Sequence, residues 1–433
     1  MKLIENMVKI EVDEESYIII NTLNGLIDLI GVFENEMLEK WSTINNIKPV
    51  GDRENALYNN LRARGYLVKN VEEESVIKIS LIEELKKNRE KTQKVRHMEF
   101  TLTYNCNFRC PYCFERERAP STRVMSKEMV DAAFNLVGDE VEQISLFGGE
   151  PLLPGNRDIV EYIFSRAGDK SFFVTTNGYY LLEYMDFISK VKKIFIQVTI
   201  DGKEKTHNSL RYLADGGPTY YKILNGVICC LEKNIPVSIR MNLNPENVDE
   251  CIEQRKMMLE TLPNAKDYLQ VELHPILQLD LKARNEVLKK ILNVTGYPVR
   301  FGIPLMNSFQ HGVKLKPQYN YCHAHDHASY NFDSLGNIYT CKAVVGRSDL
   351  SVGTYYPKVD FKKKSMLHRN VETIEACRNC NYAFICAGGC PLTLEIGADI
   401  FTPCCNRNKN DIHVVIPRLY NMYIGKRKRA VNG

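Results

Sequence analysis

The chain has 433 residues, with 57 Lys and Arg against 53 Asp and Glu for a net charge of +4. That length predicts about three domains with a sizeable core, and so mild a positive excess gives no reason to expect a nucleic-acid partner. No apolar run approaches the ~18 residues of a membrane span, MKLIENMVKIEVDEE carries acid where a signal peptide is apolar, and 14 cysteines in the cytoplasmic, soluble chain this predicts stay reduced, which leaves metal or cluster ligation as their economical use.

In chain order, residues 1–85 read as a module of their own. IEVDEESYIIIN predicts two short strands around a polar turn. Helices are expected over NGLIDLIGVFENEMLEKW and RENALYNNLRARG, with Gly65 as a stop. YLVKN and ESVIKIS then alternate like a closing hairpin, and the whole order resembles a winged helix-turn-helix. Residues 86–96, KKNREKTQKVR, are a charged connector without apolar periodicity.

From 97 to 295 strands alternate with helices. The strands are MEFTLTY, QISLFGG, SFFVTTN, KIFIQVTID, VSIRMNL and LQVELHP, with helices such as KEMVDAAFNLVGDE, YYKILNGVICCLEK and NVDECIEQRKMMLE between them. Six β/α units predict an α/β fold on a parallel sheet, curled into a barrel or doubly wound. In either, chemistry gathers at the carboxyl ends of the strands. There lie Cys106, Cys110 and Cys113 after the first strand, Gly148-Gly149-Glu150 after the second, Asn177 after the third and Asp201 after the fourth. Residues 300–415 have weak periodicity beyond a hairpin at Gly336 and need staples, which their eight cysteines can supply. Residues 416–433, with GKRKR, are expected as a solvated tail.

TYNCNFRCPYCFE holds three thiols in a Cys-x3-Cys-x2-Cys run, with the next cysteine only at 229. A closed zinc site wants four ligands. Three thiolates from one loop can instead hold three irons of a [4Fe–4S] cubane, leaving the fourth iron open; zinc or plain packing are the alternatives. CNFRCPYC, with Tyr112 before the last cysteine, resembles the signature of the radical S-adenosylmethionine (radical SAM) superfamily. The resemblance implies a partial (β/α)6 TIM-like barrel whose open iron is chelated by SAM. Reductive cleavage of SAM then yields a 5′-deoxyadenosyl radical that abstracts substrate hydrogen. LFGGEP resembles that family's glycine motif, which implies Gly148, Gly149 and Glu150 at the SAM ammonium. TIDGKEKTHNSLR resembles the segment that brings Thr199, Asp201 and Arg211 to SAM, and Leu273 is implied beside the adenine. Asn177 is a further expected SAM contact.

The second cysteine set is Cys322, Cys341 in GNIYTC, Cys377-x2-Cys380-x5-Cys386-x3-Cys390, and the adjacent Cys404 and Cys405. It resembles the SPASM domain, which implies two auxiliary [4Fe–4S] clusters, three in all. By that pattern Cys377, Cys380, Cys386 and one of Cys404 or Cys405 hold the outer cluster, and Cys322, Cys341 and Cys390 the inner one. The inner cluster then keeps an open iron or borrows the spare cysteine; two zinc sites are the alternative. His323, His325 and His327 share a face if they lie on a strand, as metal ligands or as a polar rim. Cys229, Cys230 and Cys251 fall on helices as small buried hydrophobes.

A SPASM extension implies a peptide or protein substrate. The N-terminal module resembles the recognition element of ribosomal-peptide maturases, where a precursor leader adds as a strand. The expected function is therefore a maturase of sactipeptide or ranthipeptide type. It would install a thioether between cysteine sulfur and carbon and draw electrons from a flavodoxin- or ferredoxin-type reductant. Carbon–carbon crosslinking, epimerisation and formylglycine formation are the alternatives. The last wants an acid directly after the Gly-x4-Cys cysteine, where this chain has Lys342. A DNA-binding winged helix is disfavoured because its helices are not notably basic.

Overall fold

The computed structural model describes residues 1–91, 94–115, 121–276, 278–294, 309–310 and 314–431. Near the N-terminus, β1 (Lys2–Leu3) stands apart from an antiparallel sheet of β2 (Met7–Asp13), β3 (Ser16–Asn21) and β4 (Ile27–Gly31). The period of two sorts its side chains. Ile19 and Ile30 face Leu38, Trp41 and Tyr66 of the module's own core. Val8, Ile10, Ile18 and Ile20 face the opposite way, into the main core of the molecule.

Two N-terminal expectations are corrected. The helix expected over 24–41 begins only at Val32, because IDLIG pairs with β3 and the Glu34 carboxylate accepts from Gly31 N at 3.0 Å to cap the helix there. The strand expected over ESVIKIS is instead part of helix Val71–Glu90. Asn70 accepts from Glu73 N at 3.0 Å, and three glutamates fill the first turn, where the helix dipole favours acid. These start signals outweigh a local β-branched alternation. β5 (Leu67–Val68) pairs with β1 in place of the expected hairpin, and the helix runs on into the expected connector.

Among the described residues the main sheet has ten strands. β6 (His97–Thr101), β7 (Gln143–Phe147), β8 (Ser171–Thr176), β9 (Ile194–Thr199), β10 (Val237–Leu243) and β11 (Leu269–Pro275) run parallel in sequential order. An unreversed order is not the doubly wound one. The expected helices are present as Lys127–Val137, Tyr220–Glu232 and Val248–Thr261, the first capped by Ser126.

After a small pair, β12 (Phe309–Gln310) with β13 (Lys314–Leu315), the cysteine-rich region continues the main sheet. β14 (Ser329–Asp333) lies parallel to β6, followed by β15 (Asn337–Tyr339), β16 (Gly353–Thr354) and β17 (Asp360–Phe361). Thr101 Oγ1 donates to Asn331 Oδ1 at 2.9 Å and Tyr104 Oη to Asp333 Oδ2 at 2.8 Å, so the seam is polar as well as laddered. The hairpin turns at Gly336, φ 94°, where a Cβ would meet Tyr356 O at 2.3 Å. His323–His325 form a 3-10 turn, not a strand, and His325 is fully buried with Nδ1 on the Met366 carbonyl at 2.9 Å. Residues from 416 are not a free tail: one helix spans Cys405–Val431, and Ile416 and Tyr420 join the main core. Among the described residues no helix is long and apolar enough to cross a membrane.

Candidate active site

The loop after β6 carries Cys106, Cys110 and Cys113 to the carboxyl end of the sheet, where all three line a cavity of about 220 Å³. Tyr112, Gly148, Gly149, Asn177, Thr199 and Arg211 line it too. Burial pushes the Cys106 thiol up to about 12, with the Glu150 charge adding, and burial raises Cys110 as well.

The glycines serve the loop itself. Gly149 has φ 48°, and a Cβ there would stand 2.2 Å from Asn105 O. Glu150 N donates to that same carbonyl at 2.9 Å. The glycine turn after β7 is therefore pressed onto the start of the cysteine loop, an approach that only a residue without Cβ allows.

Glu150 is fully buried and does not face the cavity. Its carboxylate accepts from Leu152 N at 2.8 Å, Thr176 Oγ1 at 2.6 Å and Asn177 N at 2.6 Å, which splices the turn after β7 to the end of β8. Burial pushes it up to about 7 against those three bonds. Asn177 Nδ2 in turn donates to Asn107 Oδ1 at 2.8 Å and lies 3.8 Å from Cys106 Sγ. Leu273 is a core residue and does not line the cavity.

Tyr112 Oη donates to Asp201 and accepts from Arg211 Nη1 at 2.9 Å, so the aromatic of the cysteine run locks two remote elements together. His207 braces both. Asp201 N donates to His207 Nδ1 at 3.2 Å, His207 Nε2 lies 3.0 Å from Thr219 Oγ1, and Thr219 Oγ1 donates to Arg211 O. With Nδ1 accepting, the imidazole proton is on Nε2.

Sequence reasoning missed His207, Gln197, Arg240, Asn242 and the cavity position of Lys342. A signal was present: Gln197 and Thr199 on β9, and Arg240 and Asn242 on β10, are polar residues two apart near the carboxyl ends of otherwise apolar strands. Lys342 Nζ lies 5.4 Å from the Phe147 ring centroid and 5.6 Å from that of Phe173.

The remaining cysteines fall into two groups. Cys377, Cys380 and Cys405 act together on Cys386, which burial pushes up to about 12. Cys341 and Cys390 act on Cys322, and Cys341 and Cys404 on Cys390, with burial the leading cause in both. The charge of Cys405 thus bears on Cys386 and Cys377, and that of Cys404 on Cys390. All 14 cysteines are free thiols. Cys230 and Cys251 are buried in the helices that cover the sheet, and Cys229 is partly buried there.

A cysteine loop at the carboxyl end of sequentially ordered parallel strands defines a radical SAM core, and residues 100–257 match the model of the radical SAM superfamily. Residues 100–257 are thus a radical SAM domain, and that family implies a [4Fe–4S] cluster and SAM. It is 30% identical over 152 residues to the sporulation killing factor maturation protein SkfB of Bacillus subtilis (strain 168), a match covering 34% of this chain and 36% of SkfB. Among solved structures, anSMEcpe with bound AdoMet superposes with a TM-score of 0.58 at 18% identity, over 76% of this chain and 99% of that one. Streptococcus suis SuiB bound to precursor peptide SuiA superposes at 0.54 and 14% identity, over 93% of this chain and 99% of SuiB. At such identities the likeness is one of fold.

Proposed function

We propose that the chain is a peptide maturase that uses SAM radical chemistry to install a thioether crosslink, cysteine sulfur to carbon, in a ribosomally made precursor peptide. The observation that carries this reading is the company the cavity keeps: three thiols of one loop line it, while eight further cysteines lie in the C-terminal region that continues the sheet. The relatives support a peptide substrate, since one is a maturation protein and another was solved with a precursor peptide. The N-terminal module, residues 1–85, takes the winged-helix-like role of leader recognition, the leader adding to the sheet of β2, β3 and β4.

The donor set fits the cofactors. Cys106, Cys110 and Cys113 would hold the SAM-binding cluster; Cys377, Cys380, Cys386 and Cys405 would hold the outer auxiliary cluster; and Cys322, Cys341 and Cys390, with Cys404 as the spare thiol, would hold the inner one. SAM and the clusters would supply a hydrogen-abstracting radical and an electron acceptor, so that forming the S–C bond would cost the peptide two hydrogens. The chain's own residues position and shield. Gly148 and Gly149 keep the floor of the cavity close to the cysteine loop. Tyr112, Asp201 and Arg211 fix its wall, with Thr199 and Asn177 offering polar contacts at the rim. Formylglycine formation is the weaker reading, because Lys342 stands where that chemistry wants an acid.

Anaerobic reconstitution tests the proposal. About twelve irons per chain are expected for three cubanes, SAM cleavage is expected to need all three of Cys106, Cys110 and Cys113, and a co-expressed precursor is expected to lose two hydrogens for each crosslink. About four irons, or a precursor unchanged in mass despite SAM turnover, overturns it.

A further inference from the structure

Arg369 is fully buried, and its guanidinium is one of the largest side chains with no exposure at all. Nη1 donates to the carbonyls of Thr402, at 2.9 Å, and Ile400; Nη2 donates to the carbonyls of Gly388, at 2.6 Å, and Gly389, at 3.5 Å. Nη2 also lies 3.9 Å from Cys404 Sγ, and Nε has no partner. None of these groups is a carboxylate. Carbonyl dipoles solvate a cation without neutralising it, and an Arg taken wholly out of water needs an anion close by.

The surroundings say which anion. Gly388 and Gly389 lie between Cys386 of one cysteine group and Cys390 of the other, while Ile400 and Thr402 lead into Cys404 and Cys405. One guanidinium therefore clasps the two loops that serve both groups, and the groups acting on it electrostatically are Cys404, Cys377, Cys390 and Cys386. The close approach is built in: Gly388 and Gly389 have φ of 78° and 75°, and a Cβ on Gly389 would meet Asn408 Nδ2 at 1.9 Å.

We infer that Arg369 is the shared counter-cation of two thiolate-ligated iron–sulfur clusters and sets their reduction potentials. The inference rests on the reading that the C-terminal cysteines hold clusters. A fixed positive charge favours the reduced, more negative form of each cluster and so raises its potential, since net charge and hydrogen bonds to sulfur tune these centres. Arg369 is thus a positioning residue for electron acceptance that does not line the cavity where the substrate reacts.

The test uses the full chain with Cys106, Cys110 and Cys113 changed to Ala, so that only auxiliary iron remains, about eight per chain. Iron content and an EPR-monitored redox titration are compared for this parent, R369Q and R369K. R369Q is expected to lower the ratio of reduced to oxidised cluster at a fixed potential at least tenfold, about 59 mV for a one-electron couple, whereas R369K keeps the parent's potential. If R369Q cannot retain iron while R369K does, the need for the charge is equally established. Parent potentials in both variants at full iron content overturn the inference, as does equal loss of iron from both. A parent without auxiliary iron is a different failure, that of the functional reading itself.

Discussion

His207 shows how one side chain without a place in the signature motifs can hold a site together. It is fully buried, and burial, with Arg211 second, depresses its pKa from 6.5 to about 3. The folded chain keeps the imidazole neutral, while the unfolded chain takes up a proton as pH drops below about 6.5. Stability from this residue is therefore fully present above that pH and lost as pH falls towards about 3. His207→Gln is expected to flatten the fall of the urea midpoint across that window. Glu74 plays a comparable part in the N-terminal module. Its carboxylate accepts from Glu5 N and Asn6 N, both at 2.9 Å, and from Asn6 Nδ2 at 2.8 Å, in a buried setting. Glu74→Ala leaves these donors unpaired and is expected to cost about 1–3 kcal/mol in chemical denaturation.

Among the elements, the glycine turn after β7 governs the cysteine loop. Alanine at 149 meets both a left-handed φ of 48° and the Asn105 carbonyl at 2.2 Å. The expected result for Gly149→Ala is loss of about four irons from the reconstituted chain, with the C-terminal iron kept; loss of iron in proportion from every site would show a general folding defect instead. Helix Val71–Glu90 shows the limit of reading elements locally. VIKIS alternates like a strand, yet Asn70 and three glutamates start a helix whose Leu81, Ile82 and Leu85 pack against the hydrophobic group containing Cys377, Ile374 and Phe384. The three main covering helices, by contrast, were legible because their apolar stripes repeat over several turns.

Across the whole molecule, the C-terminal region is fused to the core. β14 pairs with β6. Arg284 of helix Leu281–Asn293 makes a buried two-pronged pair with Asp411 of helix Cys405–Val431, both bonds at 2.8 Å. Removing one partner of such a pair strands a buried charge, so Arg284→Ala is expected to cost about 3–5 kcal/mol. Arg284→Met combined with Asp411→Leu is expected to recover most of that in thermal denaturation. The same C-terminal helix carries Ile416 and Tyr420 into the core shared with Val8, Ile10 and Ile18 of the N-terminal sheet, so the first and last parts of the chain are expected to unfold together.

What the amino-acid order determined by itself was whatever depends on short separations: the Cys-x3-Cys-x2-Cys run, the glycine turn, the six parallel strands and the placing of each motif at a strand's carboxyl end. Those features follow from spacing, side-chain period and the freedom of glycine, all carried by neighbours in the chain. The tertiary structure alone decided that Glu150 braces β8, that Lys342 and Arg240 reach the cavity and that Arg369 clasps the carbonyls of Gly388 and Thr402. Each of these is a contact between residues far apart in sequence. Its energy comes from burial and charge compensation, which have no local signature.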